Sequence, residues 1–280
     1  MDLNEFIKLA LAEDIGDGDH STLSAFDKSV VGKAKLLVKD EGVIAGVEIA
    51  TAVFHYYDPK LSVDVFLKDG TKIKPGDIAF EVTGPAQSIL TTERLVLNIM
   101  QRMSGIATKT SQLVKMVEHT HVVLLDTRKT TPLFRYFEKV AVKIGGGQNH
   151  RFGLYDMIML KDNHIDYAGG VKNAITKARQ YLKEKNKTLK IEVEIRNFKE
   201  LDVVLELGGI DIIMLDNFIV SDIIEALKRI NKKYKVEASG GINQDNLVAF
   251  AETGVDFISI GALTHHVNSL DLSLKAIMKK

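Results

Sequence analysis

The sequence predicts an α/β protein in two parts: antiparallel strands with flanking helices over the first 110 residues, then an incomplete, about six-stranded parallel α/β barrel. Three observations carry this. GKAKLLVKDEGVIAG and LSVDVFLKDGTKIKPGDIAFEVTGP alternate apolar and polar residues between Asp-Gly and Pro-Gly turns, the pattern of short antiparallel strands. From His121 onward, six apolar segments alternate with helical stretches, as parallel strands and their crossover helices do. Finally, VEASGGI (236–242) and FISIGAL (257–263) place small residues directly after the last two strands, where backbone N–H groups can approach a phosphate.

In order along the chain, helices are expected over Leu3 to Leu11, Val47 to Tyr57, and Thr91 toward Val117. Strands follow at about 121–127, 156–161, 189–195, 210–216, 234–239 and 256–261. Helical stretches at about 136–143, 169–184, 198–207, 220–230 and 243–253 separate them. Right-handed crossovers either close such a sheet into a barrel or leave it open and doubly wound, and the phosphate-type loops favour the barrel. The expected domains are 1–110 and 111–267, with an amphipathic C-terminal helix over 268–280 available to pack on the first. LKDGTKIKPGDIAFEVTG (67–84) superficially resembles a lipoyl-type hairpin but lacks the carrier-lysine context, so it reads as structure.

At 280 residues and 45% hydrophobic, the chain is ample for a packed core. Lys plus Arg and Asp plus Glu both total 37, so no global field draws nucleic acid or an anionic membrane. A local excess exists between Thr127 and His164, where seven cations face three acids, 7 − 3 = +4, which suits a small polyanion. With no cysteine, disulfides, thiolate metal sites and thiol nucleophiles are excluded. The acidic, amphipathic N-terminus is unlike a signal peptide, and no apolar run approaches the ~20 residues that span a bilayer. A cytoplasmic location is expected.

Chemical groups recur at the strand ends, where a parallel α/β protein binds its ligands. LLDTRKTTP (124–132) presents Arg128 and Lys129, GGGQNHR (145–151) presents Asn149, His150 and Arg151, and IMLKDNH (158–164) presents Lys161. Four cations converging on one mouth repel one another unless an anion neutralises them. The GGG run reads as a turn that lets backbone amides and an Arg fork approach a carboxylate or phosphate. Glu194 and Asp216 sit in apolar strands and need partners: a structural pairing with Lys161 or Arg151, sugar hydroxyls, or a cation carried by a phosphorylated substrate. Glu192, two residues before Glu194, shares its face but lies nearer the strand's start. Of His265 and His266, at most one is expected to face the mouth.

Taken in order, these segments resemble the quinolinate phosphoribosyltransferase family. The similarity spans nearly the whole chain, through EDIGDGDHST (13–22), LTTERLVLNIMQRMSGIAT (90–108), TRKTTP (127–132), FEKVAVKIGGGQNHR (137–151), LYDMIMLKDNHI (154–165), IEVE (191–194), IIMLDNF (212–218), EASGGI (237–242) and SIGALTH (259–265). The resemblance implies an N-terminal α/β sandwich domain, an incomplete α/β barrel, and a homodimer or higher oligomer with active sites shared between subunits. It implies that Arg102 reaches into the partner's site, that Arg128, Arg151 and Lys161 clamp the two quinolinate carboxylates with Lys129 and His150 beside them, and that Thr127 also binds substrate. Glu194 and Asp216 would hold ribose hydroxyls or lie near a Mg2+ carried by the pyrophosphate, with no direct protein ligand to the ion. Ser239, Gly240, Gly241, Gly261 and His265 would surround the phosphate end. Lys129, Lys161, Glu194 and Asp216 are the groups implied to act in catalysis. One departure is visible: where the family usually has TTPG, Pro132 is here followed by Leu133.

The implied reaction joins quinolinate to 5-phosphoribosyl-1-pyrophosphate with loss of pyrophosphate and CO2, giving nicotinate mononucleotide, a step in NAD biosynthesis. Two readings compete. Lys161 could form a Schiff base in an aldolase, or the chain could bind phosphorylated metabolites without turnover.

Overall fold

The computed structural model describes residues 2–277. Those residues form helices α1 Leu3–Ile15, α2 His20–Ala25, α3 Val47–Tyr57 and α4 Ala86–Met116, interleaved with strands β1 Val31–Val38, β2 Gly42–Val43, β3 Ser62–Val65, β4 Lys72–Ile73 and β5 Ile78–Pro85. Strand β6 Val123–Leu125 and helix α5 Arg135–Ile144 follow. Next come β7 Ile158–Leu160, α6 Asp162–Ala168, α7 Val171–Glu184, β8 Ile191–Ile195, α8 Phe198–Leu207, β9 Ile212–Asp216, α9 Val220–Ile230, β10 Lys235–Ser239, α10 Leu247–Ala251, β11 Phe257–Ser259 and β12 Leu272–Ala276. Among them no helix is long and apolar enough to cross a membrane.

The chain divides into two compact units, the first running through Ser111 and resuming at Pro132–Gly146 and from Val267 onward. Its antiparallel sheet has the order β12-β1-β5-β3. Ala34, Leu36 and Val38 of β1 are buried in alternation, which is what a sheet with one covered face requires. The expected C-terminal helix is corrected here: Leu270, Leu272 and Leu274 are buried at every second residue, and the segment pairs antiparallel with β1 as strand β12. That period of two is a strand's, and residues 278–280 of the expected helix lie outside the described residues.

Helix α5, which the sequence rhythm assigns to the barrel, belongs to the first unit. Its Phe137 is buried against Phe6 of α1, with ring centroids 4.5 Å apart. Gly145 closes the helix and abuts α4, where a Cβ would stand 2.5 Å from the Ala107 carbonyl oxygen. The first glycine of the GGG run is thus a packing glycine, not a ligand-binding turn.

In the second unit, six parallel strands take the order β6-β11-β10-β9-β8-β7. First and last strands of the series are neighbours, and the remainder follow in sequence, so the sheet winds in one direction as a barrel does. A doubly wound sheet would reverse its order midway. The ring stays incomplete between β6 and β7, where a single parallel bridge joins Leu125 to Gln148. Strand β8 is buried along its whole length, acids included, because a parallel strand in such a sheet is covered on both faces.

Candidate active site

Each barrel strand offers inward positions two residues apart, one deep and one at the strand's carboxyl end. On β7 these are Met159 and Lys161, on β8 Glu192 and Glu194, on β9 Met214 and Asp216, and on β10 Glu237 and Ser239; beyond β6 stand Asp126 and Arg128. A cavity of about 1240 Å³ opens among them, lined entirely by residues of the second unit. Thr127, Arg128, Lys129, His150, Arg151, Lys161, Asp216, Ser239, Gly240, Gly241, Gly261 and His265 all line it. His266 lines it too, correcting the expectation that one histidine of the pair would face away. The turn Gly261–Leu263 carries both onto the rim, with the two rings 4.3 Å apart.

The cations are held by local geometry. The Lys129 N–H donates to Thr127 Oγ1 at 3.0 Å, while Thr264 Oγ1 donates to the Lys129 carbonyl at 2.8 Å. Gly261 leaves space for the Lys129 stem, since a Cβ there would stand 3.2 Å from Cδ. Arg151 donates from Nη1 to the Met157 carbonyl at 3.3 Å. Its guanidinium is pushed below its ordinary pKa by burial and then by the charge of Arg128, the electrostatic mark of two convergent cations. Lys161 Nζ lies 3.4 Å from Glu194 Oε2.

Glu194 is itself outside the cavity lining, buried behind Lys161. Burial raises its pKa, against the lowering charge of Lys161, and the neighbouring Asp216 raises it further. Asp216 is raised by burial as well, with Lys161 opposing. Its Oδ2 accepts from Asn217 Nδ2 at 2.5 Å. Asn217 adopts a left-handed φ of 57°, and its side chain occupies the space a Cβ on Gly240 would need. Gly240, at φ 91°, is therefore required by both conformation and contact. Hard, mutually repelling carboxylate oxygens of this kind fit the neighbourhood of a divalent cation.

Sequence reasoning missed the parts beneath this rim. Asp126, fully buried, accepts the His150 N–H at 2.9 Å on Oδ1 and Asn149 Nδ2 at 2.6 Å on Oδ2, fixing the loop that carries His150 and Arg151. Asn149 thus points into this support. Glu192, the weaker expectation, and Glu237, given no role, meet His150, whose Nε2 lies 3.0 and 3.3 Å from their carboxylates. The available signal was an acid inside an apolar strand, in IEVEI and again in KVEAS. One ligand atom from each of the three falls within 4.8 Å of the others, close enough for a metal ion. The imidazole argues against one. Nδ1 accepts the Arg151 N–H at 2.7 Å, so the ring proton must sit on Nε2, the atom a metal would need bare.

Arg102 belongs to the first unit. It reaches Glu138 Oε1 from Nη2 at 2.8 Å and from Nε at 3.1 Å, and the Val267 carbonyl from Nη1.

Fold and site together define an α/β-barrel enzyme of phosphorylated, polyanionic substrates. The family models for the quinolinate phosphoribosyl transferase N-terminal and C-terminal domains match residues 19–104 and 106–275. The chain belongs to the quinolinate phosphoribosyltransferase family. It is 42% identical to the nicotinate-nucleotide pyrophosphorylase [carboxylating] of Arabidopsis thaliana, a chloroplastic protein, over 98% of this chain and 82% of that one. It is likewise 42% identical to the probable nicotinate-nucleotide pyrophosphorylase [carboxylating] of Bacillus subtilis, over 98% and 93%. The crystal structure of NadC from Streptococcus pyogenes superposes with a TM-score of 0.92 at 38% identity, covering 99% of this chain and 97% of that chain. The nicotinate-nucleotide pyrophosphorylase of Francisella tularensis gives 0.90 at 40%, covering 98% and 96%.

Proposed function

We propose that this protein joins quinolinate to 5-phosphoribosyl-1-pyrophosphate, with release of pyrophosphate and CO2, to give nicotinate mononucleotide. The observation that carries the proposal is the gathering of Arg128, Lys129, Arg151 and Lys161 on one cavity. Arg128, Arg151 and Lys161 clamp the two carboxylates of quinolinate, where an Arg fork can make paired charge-assisted bonds. Thr127, Lys129 and His150 flank the diacid. Ser239, Gly240, Gly241, Gly261 and His265 take the phosphate end, Asp216 faces the ribose, and Glu194 acts from behind Lys161.

No covalent nucleophile is required. As the ring nitrogen approaches the anomeric carbon, pyrophosphate departs and positive charge grows on the sugar. Asp216 and Glu194 stabilise that charge, while Lys129 and Lys161 offset the charge of the leaving group. Mg2+ entering with the pyrophosphate would neutralise part of its charge. The ion pair between Lys161 and Glu194 tells against the aldolase, because a neutral amine nucleophile would forfeit it. We place the protein in the cytoplasm as a homodimer or larger assembly, with Arg102 serving the partner's site.

The experiment is release of labelled CO2 from carboxyl-labelled quinolinate, with and without 5-phosphoribosyl-1-pyrophosphate and Mg2+. Release that requires both additions is the expected result. Tight binding of the sugar pyrophosphate without turnover would favour a sensor instead.

A further inference from the structure

The rim beyond the last barrel strand carries one more polar group than the proposed reaction uses. After β11, the turn Gly261–Leu263 is followed by Thr264, His265 and His266, and both histidines are exposed on the cavity. Their backbone is fixed. The Gly261 carbonyl accepts the N–H of Thr264 at 3.2 Å and that of His265 at 2.9 Å, while Thr264 Oγ1 donates to the Lys129 carbonyl at 2.8 Å. Lys129 and the two imidazoles therefore stand on loops tied to each other, and the Lys129 stem runs along Gly261.

The two rings do not satisfy each other. His265 Nδ1 stands 3.2 Å from His266 Nδ1 and 3.3 Å from its Nε2, with the ring planes inclined at 63°. An imidazole N–H points outward in the ring plane, so an atom equally far from both nitrogens lies along neither N–H direction, and only a weak, divided contact joins the rings. Each neutral imidazole still carries one N–H to donate. Among the described residues no carboxylate is paired with either histidine. A metal ion is a poor occupant, because no third histidine or acid gathers with the pair among those residues. Strands β10 and β11 are neighbours in the sheet, so the loop Ser239–Gly241 lies beside this turn. There Gly241, at φ 63°, has nothing within 4 Å of the place a Cβ would take, which leaves open space for a ligand.

We infer that His266 is a phosphate-binding residue: with His265 it forms a two-imidazole grip whose N–H groups donate to the oxygens of one phosphate of 5-phosphoribosyl-1-pyrophosphate. The inference rests on the reaction proposed above, in which His265 alone of the pair meets the phosphate end. A phosphate carries several acceptor oxygens on one centre, so two donors this close together can serve neighbouring oxygens of the same group. Hydrogen bonds to such charged oxygens are stronger than those between neutral partners. Lys129 supplies point charge with little directional preference, whereas the two rings, held by the Gly261 turn, supply direction. The adjacent histidines are thus used together, which their spacing in the chain argues against and the turn makes possible.

Steady-state release of labelled CO2, with each substrate varied in turn, tests the grip. His266→Ala should raise the KM for 5-phosphoribosyl-1-pyrophosphate about tenfold, the loss of a hydrogen bond to a charged acceptor, and leave the KM for quinolinate unchanged. His266→Gln keeps an N–H donor and should stay within about threefold of the unaltered protein. Inhibition by ribose 5-phosphate and by inorganic pyrophosphate tells which phosphate is held: whichever loses about tenfold in potency against His266→Ala is the one His266 contacts. The side chain is exposed, so both variants should melt with the unaltered protein. An unchanged KM for the sugar pyrophosphate in His266→Ala overturns the inference, as does an equal rise in the KM for quinolinate. A glutamine variant as weak as the alanine variant overturns it too, since the ring would then matter only for packing. Absence of any CO2 from the unaltered protein refutes the reaction itself, and the grip with it.

Discussion

The buried carboxylate of Asp126 accepts the backbone N–H of His150 at 2.9 Å, tying the end of the first barrel strand to the loop that carries Arg151. Its second oxygen takes the Asn149 side-chain amide at 2.6 Å. Asp126→Ala would leave two donors unpaired beneath the site, at a cost of about 2–4 kcal/mol. Urea unfolding should show that loss, and the KM for quinolinate should rise because the Arg151 loop is no longer fixed.

Leu133 has φ 62° and is 74% exposed. A side chain in the left-handed region costs roughly 1–2 kcal/mol, and so exposed a leucine recovers little by packing. Leu133→Gly should therefore raise stability, by about 0.5–1 kcal/mol after the larger chain entropy of glycine in the unfolded state. An unchanged or lower melting temperature would show that the leucine packs against something.

The buried cluster also gives the stability a pH dependence. Burial raises Glu192 from 4.5 to about 7. Between about 4.5 and 7 the folded protein thus binds more protons than the unfolded chain, and stability must fall as pH rises through that window. Glu192→Gln should flatten the slope, as read from melting temperatures at pH 5, 7 and 9.

Arg151→Ala should keep the fold and lose about tenfold to several hundredfold in kcat/KM, the effect of removing a charged hydrogen bond worth about 1.5–3 kcal/mol from a dianion. Near-normal turnover would remove Arg151 from the clamp.

Arg102 is pinned to Glu138, which is completely buried. An Arg102→Ala protein mixed with Arg151→Ala should regain activity if sites are completed across subunits, because one site in the mixed oligomer then keeps both arginines. Equal inactivity of the mixture and its parents would confine Arg102 to a structural role.

Much of the fold was legible because local pattern and tertiary position agree. IEVEI and IIMLD are apolar runs bounded by polar loops, and both are barrel strands. The helix from Val47 to Tyr57 falls where periodicity puts it. FEKVAVKI is equally helical, yet no local rule says which sheet an amphipathic helix will cover, and α5 packs with the first unit. LDLSLKA failed for a different reason: an alternation of five to seven residues is short, and a neighbouring strand edge decided it.

By itself the sequence determined the strand–helix rhythm, the cations and acids that follow the barrel strands, and the family to which those motifs belong. These are properties of residue type and spacing, which survive without knowledge of the fold. The tertiary structure alone decided that Asp126 supports the His150 loop, that Leu133 is strained, and that Glu192 and Glu237 share one buried imidazole. Residues 150, 192 and 237 are brought together only when the parallel sheet curves, and the raised pKa of Glu192 follows from its burial there, a condition no single segment of the chain can express.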